Sequence, residues 1–341
     1  MTRVAKNAML PRLVAPIISI LIAFAVGGVL ILLIGKNPVA AIYALFSGAL
    51  GNSFALGNTI NLAGVLLFTG LAALVAFTAG VWNFGEEGQL YIGSLAAVGV
   101  VFGLPSLGFM VVPVSLAASA LAGALLASTA GVLKVKMNVF EGVSTILLNF
   151  IVFWVVDYVG AVPLHDPGAS LNQTPLVPTQ FTLQSFPGTL VQPYFLVGIG
   201  VAVAASYLLR KTKFGFEMRI MGGNVRAAQY VGLRTSRKVI QVMSISGALA
   251  GFAGGLMILG IAYSLFYGVS QSYGWLGIAV ALLASLDPIA CVFSAFFISI
   301  LTIGGGVMQS TTGVPFELAQ IMAATVVIVV LLRPMIEKMM R

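Results

Sequence analysis

Two adjacent carboxyl groups, Glu86 and Glu87, stand inside a long hydrophobic tract, in the stretch WNFGEEGQ at 82–89 between the apolar runs 62–79 and 90–102. An acidic residue at the centre of a membrane helix costs roughly 2.5–3.5 kcal/mol, so such a pair has to be held by packing or serve a function. Two compatible uses follow from the neighbours. Gly85 and Gly88 let the backbone bend while Asn83 and Gln89 supply donors and acceptors, which makes a polar bend lining a pathway. Alternatively, a helix beginning at Glu86 or Glu87 sets the acids at its positive dipole end, where they satisfy free N–H groups. The remaining acids in apolar surroundings sit near expected helix ends. Glu141 is placed to cap or to pair with Lys134 or Lys136, and Asp157, Asp287 and Glu317 read as caps. Hydrolytic chemistry finds no constellation. His165 is the only histidine, so HExxH is impossible, and neither GxSxG nor the phosphate loop GxxxxGK[ST] occurs. The lone Cys291 excludes an internal disulfide and reads as a small core residue. No catalytic residue and no metal set is assigned.

The elements that must position these groups are membrane helices. The 341 residues are 60% hydrophobic and 8% charged, against about 25% charged in a soluble globule. Long continuous apolar runs rich in Gly and Ala argue for spanning helices and against a barrel. The charges, +8 in sum, fall in a pattern. Lys and Arg are confined to Arg3, Lys6, Arg12, Lys36, Lys134, Lys136, the segment 210–238, Arg333, Lys338 and Arg341. The positive-inside rule then puts both termini and the loops near 135 and 210–238 in the cytoplasm, with Lys36 as the lone outside cation. No A-x-A-like site follows the basic N-terminus, which reads as the start of a span rather than a cleaved signal. The expected spans are 13–34, 54–79, 89–102, 108–133, 140–162, 192–209, 239–262, 289–303 and 316–332, with a short amphipathic surface piece at 38–50 and a short segment at 273–286. The fold is thus an all-α polytopic membrane protein of about ten membrane segments, some short or broken, forming a single domain over 1–341. A Pro- and Thr-rich external loop at 163–193 either caps the outer mouth or meets an external protein. The two broken regions, 82–89 and 271–288, occupy corresponding places in the two halves of the chain, the pattern that points to a transport site.

The basic segment 210–238 contains more than charge. Asn224 is a good N-cap, 225–231 a two-turn helix and Gly232 a suitable residue beyond its end. Ala227 and Ala228 permit close backbone approach, and Tyr230 and Leu233 offer knobs for a partner groove. Basic residues alone would equally suit anionic headgroups, but a capped helix in their midst points to docking.

The stretch WNFGEEGQLYIGSLAA at 82–97 resembles the N-I-G-x-E-G-Q-x-x-x-G-A signature of ABC-transporter permeases of the branched-chain amino acid and simple-sugar superfamily, with Phe84 where Ile is common. MNVFEGVSTILLNFI at 137–151, LHDPGASLNQTP at 164–175, NVRAAQYVGL at 224–233, ISGALAGFAGG at 245–255 and WLGIAVALLASLDP at 275–288 match in order, most closely the nucleoside-import permeases paired with basic-membrane-type lipoproteins. The resemblance implies a multi-pass subunit of the bacterial inner membrane, surrounded by lipid and binding no nucleic acid. Its implied partners are ATPase subunits that carry the ATP and Mg, a second and shorter permease, and an external binding lipoprotein; no cofactor belongs to this chain. It makes Asn224, Ala227, Ala228, Tyr230 and Gly232 part of the helix coupled to the ATPase. Nucleoside is the first substrate expectation, simple sugar or a riboflavin-like compound the second. Trp82, Phe84, Tyr273 and Trp275 would stack on a base or else anchor at the interface, while Asn83, Gln89 and Asn149 would bond hydroxyls beside Glu87. A reading of a different class, a proton-coupled secondary transporter with Glu86, Glu87 and Asp287 as relay, leaves the capped helix idle.

Overall fold

The computed structural model describes residues 19–339, so Arg3, Lys6, Arg12, Arg341 and the opening of the first expected span lie outside the described residues. Among the described residues the chain is helical throughout, apart from loops and one isolated antiparallel bridge between Gln173 and Phe266. Helix α1 covers Ser19–Leu33, and α2, Pro38–Leu50, starts on an Asn37 side chain that accepts from the Val39 and Ala40 N–H groups. Helix α3 is Ser53–Thr78, α4 Glu86–Gly103, α5 Val111–Met137 after a 3-10 turn at Pro105–Met110, and α6 Glu141–Ala161. Then follow α7, Tyr194–Lys211; α8, Lys213–Gly223; α9, Val225–Tyr230; α10, Thr235–Met257, continued by a π-helical turn Ile258–Ala262; α11, Tyr273–Leu283; α12, Pro288–Thr312; and α13, Phe316–Met339.

Six of these helical stretches are long and apolar enough to cross a membrane: Ser53–Thr78, Pro105–Met137, Glu141–Ala161, Tyr194–Lys211, Thr235–Ala262 and Pro288–Thr312. Helix α4, whose 18 residues include Glu86, Glu87 and Gln89, is not among them. Burial separates a core post from a rim. The apolar window of α3 is 89% buried, whereas those of α5 and α7 are 22% buried and turn Leu121, Leu125, Leu196 and Val203 outward. Lipid tails are as apolar as Leu, so close packing rather than water exclusion must join the helices. The chain meets this with a seam of small residues. A Cβ on Gly251 of α10 would lie 2.9 Å from the Gly123 Cα of α5, and one on Gly93 of α4 would lie 2.6 Å from the Gly251 Cα. Ser119 O–H donates to the Gly93 carbonyl at 2.8 Å, and Ser94 O–H to the Gly254 carbonyl at 3.0 Å, so the seam is also hydrogen-bonded.

Three elements differ from the sequence expectation. The stretch 38–50 is not a free surface helix: Ala41, Ala44, Leu45 and Ala49 are buried, and Gly48 meets Val307 of α12, because small side chains let the two helices close. Helix α8 was not foreseen in the basic segment; its Thr212 cap and buried Met218 and Met221 hold it against the body. Helix α12 runs to Thr312, past the expected 303, until Gly313 at φ +67 ends it. The 163–193 loop is tied down at three points, with Thr174, Val177 and Leu183 N–H donating to the carbonyls of Leu265, Tyr263 and Leu259.

Candidate functional site

Residues 82–85 lie outside any helix and lead into the first turn of α4 alongside α6, and side chains take the place of the missing helical partners. Trp82 N–H donates to Glu141 Oε1 at 3.2 Å, Phe84 N–H to Thr145 Oγ1 at 3.1 Å and Gly88 N–H to Asn149 Oδ1 at 2.9 Å, while Asn149 Nδ2 donates to the Phe84 carbonyl at 3.0 Å. Asn83 and Gln89 exchange two amide hydrogen bonds of 3.0 and 2.9 Å, and Asn83 Nδ2 also donates to Ser246 Oγ of α10. Backbone groups without water must be paired inside the protein, and this knot pairs them. From Glu141 to Asn149 the rise of α6 is about 12 Å, so the knot runs along the first two turns of a helix long and apolar enough to cross a membrane.

Glu87 joins the two breaks. Ser270 O–H donates to its Oε1 and Gly274 N–H to its Oε2 at 2.7 Å. As the sequence expectation had it, this acid stands in the first turn of its own helix, but the free N–H it satisfies is that of Gly274 in the first turn of α11. The residue before α4, Gly85, supplies no side-chain cap, and both Glu86 carboxyl oxygens are buried without a hydrogen-bond partner among the described residues. Helix α11 itself is set between strained turns. Of the six non-glycine residues at positive φ among the described residues, Gln271 and Ser272 precede it and Ser285 and Leu286 follow it. Such strain gathers where a segment is over-determined by its surroundings or has to move.

Directly beside this junction opens a cavity of about 660 Å3. Its walls carry Asn58 and Asn61 of α3, Gln192, Gln271, Thr302 and Gln309, with Tyr263, Tyr273 and Phe316 as aromatic faces. No Asp, Glu, Lys or Arg is among its lining residues. Gln192 Nε2 donates to the Gly260 carbonyl at 2.7 Å, while its Oε1 is buried without a hydrogen-bond partner among the described residues. Asn61 holds the Gln192 backbone N–H at 2.9 Å.

Of the residues marked in the sequence, Tyr273 lines the cavity. Asn83, Glu87, Gln89 and Asn149 are buried and bonded to protein groups in the knot or at α11, the Trp82 ring lies tilted 5.3 Å from that of Phe77 and 5.9 Å from that of Phe84, and Trp275 is 38% exposed. The cavity amides were missed; Asn58 and Asn61, three apart in an apolar run and hence on one helix face, were the available sign. The other acids are engaged. Glu141 pairs with Lys134 at 2.5 Å, Asp287 pairs with Arg210 and accepts from the Ile289 N–H at 2.9 Å, and Asp157 accepts from Asn172 Nδ2 at 3.2 Å. Glu317 stands in the first turn of α13, and a His165 ring nitrogen lies 3.1 Å from the Gly160 carbonyl.

On the end of the molecule that carries Lys134 and Arg210, Asn224 accepts from the Ala227 N–H at 3.1 Å and caps α9, which ends one residue before the expected 231. Ala228 is buried and Tyr230 is 91% exposed, with Gly232 at φ +81 closing the turn. Helix α8 leads from this projection back to the knot. Gly80, at φ +70 just before 82–89, is so close to Gly222 at the end of α8 that a Cβ on it would lie 3.0 Å from the Gly222 Cα.

Comparison with known proteins accords with this arrangement. Residues 55–331 match the family described as branched-chain amino acid transport system / permease component. The chain is 31% identical to the Guanosine ABC transporter permease protein NupP of Bacillus subtilis over 94% of its length and 93% of the relative's. It is 28% identical to the Nucleoside ABC transporter permease protein NupB of Lactococcus lactis (96% and 93%) and to the Glucose ABC transporter permease protein TsgB13 of Haloferax volcanii (92% and 85%). With about four-fifths of its length inside one family model and a relative above 30% identity, the chain belongs to the branched-chain amino acid transport system permease family.

Proposed function

We propose that this chain is the permease subunit of an ATP-driven importer that moves a nucleoside, and that the solute passes through the amide-lined cavity. The observation that carries this reading is the lining itself: amides, hydroxyls and tyrosines without a charged residue, which suits a neutral, hydroxyl-rich solute with a flat ring. Its volume lies within the roughly 300–1,000 Å3 of small-molecule sites. Tyr273 and Tyr263 offer ring faces to a base, while Gln192 and Gln271 reach its polar edge or ribose. Asn83, Gln89, Asn149 and Glu87 act behind them as supports that hold the bend, and Trp82, Phe84 and Trp275 pack around it.

The chain is a single membrane domain of about ten segments in a bacterial inner membrane, with both termini and the 210–238 loop in the cytoplasm and the 163–193 loop outside, where a binding lipoprotein delivers solute. A second permease, shorter and distinct, completes the pathway. ATP and Mg reside on separate ATPase subunits, into whose groove Asn224–Gly232 docks through Tyr230. Movement of α9 on ATP binding is passed through α8 to the Gly80 turn, thence to the knot and, by Glu87, to α11. The relative named for glucose supports simple sugar as the second reading.

Uptake of labelled guanosine by the transporter reconstituted in proteoliposomes separates the two. Inhibition by unlabelled nucleosides, with no effect of excess glucose or galactose, is the expected result; the reverse pattern makes this a sugar permease. Transport that persists without ATP but stops when the pH gradient collapses would replace the importer reading with a proton-coupled one.

A further inference from the structure

We infer that the cleft between the first turns of α8 and α10 holds the phosphodiester headgroup of an anionic lipid. The cleft is about 460 Å3 and is lined by Lys213, Arg234, Arg237 and Lys238, with Glu217 as the one acid. Glu217 is taken by Lys238 at 2.6 Å, and Lys238 also lies over the Phe214 ring at 4.2 Å from its centroid. This leaves Lys213, Arg234 and Arg237, all exposed, without an ion pair among the described residues. Three uncompensated cations converging on one concavity repel one another unless an anion joins them.

Position selects the lipid source of that anion. Arg234, Arg237 and Lys238 occupy the opening turn of α10, a helix long and apolar enough to cross a membrane, so their charges sit at headgroup level. The apolar neighbours continue the match. Phe216, one turn on from Lys213, is 56% exposed, a surface that suits an acyl chain beside a bound phosphate. Arg guanidinium groups add bidentate geometry for phosphate oxygens.

The test is native mass spectrometry of the assembled transporter released from nanodiscs of phosphatidylglycerol or of phosphatidylcholine. Retained phosphatidylglycerol, with no comparable phosphatidylcholine adduct, is the expected pattern. Arg237→Gln should lower that retention about fivefold and the double change Arg234→Gln/Arg237→Gln roughly 30-fold, while Lys136→Gln, outside the cleft, leaves it unchanged. A lysine-for-arginine pair, Arg234→Lys/Arg237→Lys, should keep most of the lipid and guards against a folding defect. Equal retention in the wild type and the double variant overturns the site. Displacement of the lipid by inorganic phosphate at millimolar concentration assigns the cleft to free phosphate. Loss of the ATPase subunit from the double variant with lipid retention intact assigns the cations to a protein contact, and the lipid proposal then fails.

Discussion

Replacing Glu87 tests the junction on which the two halves meet. Its carboxyl group accepts from Ser270 O–H and from Gly274 N–H, and it is 4% exposed, so solvent does not take over if it is removed. Two hydrogen bonds to an ionisable acceptor contribute about 3–6 kcal/mol together. Against this, Glu87→Ala relieves the roughly 2.5–3.5 kcal/mol of burying an acid in the membrane. The net expectation is a loss of about 1–3 kcal/mol, centred on the orphaned Gly274 N–H at the start of α11. Glu87→Gln behaves differently. Its Oε1 can accept from Gly274 while its amide donates to Ser270 Oγ, which turns to accept, so the change should cost under about 1 kcal/mol. The protein supplies its own probe: Cys291 is the only cysteine and is fully buried, so a thiol-reactive fluorophore reports unfolding. At about 2 °C per kcal/mol for a large domain, Glu87→Ala should lower the apparent Tm by about 2–6 °C and Glu87→Gln by less than half of that. Equal damage by both variants, or none by Ala, would refute the cross-helix cap. A large shift in the pH profile of transport by Glu87→Gln would show that the carboxyl group moves protons instead of holding α11.

Gly222→Ala drives a methyl group onto the Thr78 carbonyl oxygen and to 3.1 Å from the Gly80 nitrogen, which forces the end of α8 away from the Gly80 turn and should uncouple transport from hydrolysis. Solute moved per ATP hydrolysed in proteoliposomes is the readout, and an unchanged ratio removes the Gly80–Gly222 contact from the drive path. Gln192→Ala should raise the KM for solute several-fold while the Cys291 unfolding midpoint stays within about 2 °C, because the residue acts at the cavity wall; a fall in stability with KM intact would make it a loop strut. Asn224→Ala removes the cap of α9 at about 1 kcal/mol, whereas Asn224→Asp retains it. Co-purification of the ATPase subunit should weaken in the first variant only, and the docking role fails if both behave as wild type.

Several features were readable along the chain because their causes are local. The polarity of 82–89 and 271–288 inside apolar runs marked both breaks, and Asn224 followed by Ala227 and Gly232 marked α9, since a cap and a left-handed glycine depend only on neighbouring residues. The order of the motifs likewise disclosed the family over most of the length. What the linear pattern left open was which groups answer one another. Glu87 lies 187 residues from the Gly274 whose N–H it accepts, and Asn61 lies 131 from the Gln192 whose backbone it holds, so no window of sequence contains either pair. The burial of α2 against α12 escaped notice because Ala and Gly carry almost no periodic signal, although their smallness is what allows the contact. Sequence alone thus determined that the chain is a helical membrane protein with two polar interruptions and a capped basic-loop helix. Tertiary packing decided that the interruptions meet, that an acid on one caps the helix of the other, and that neutral amides from distant helices line a common cavity, because those pairings arise only when small-residue seams bring the backbones together.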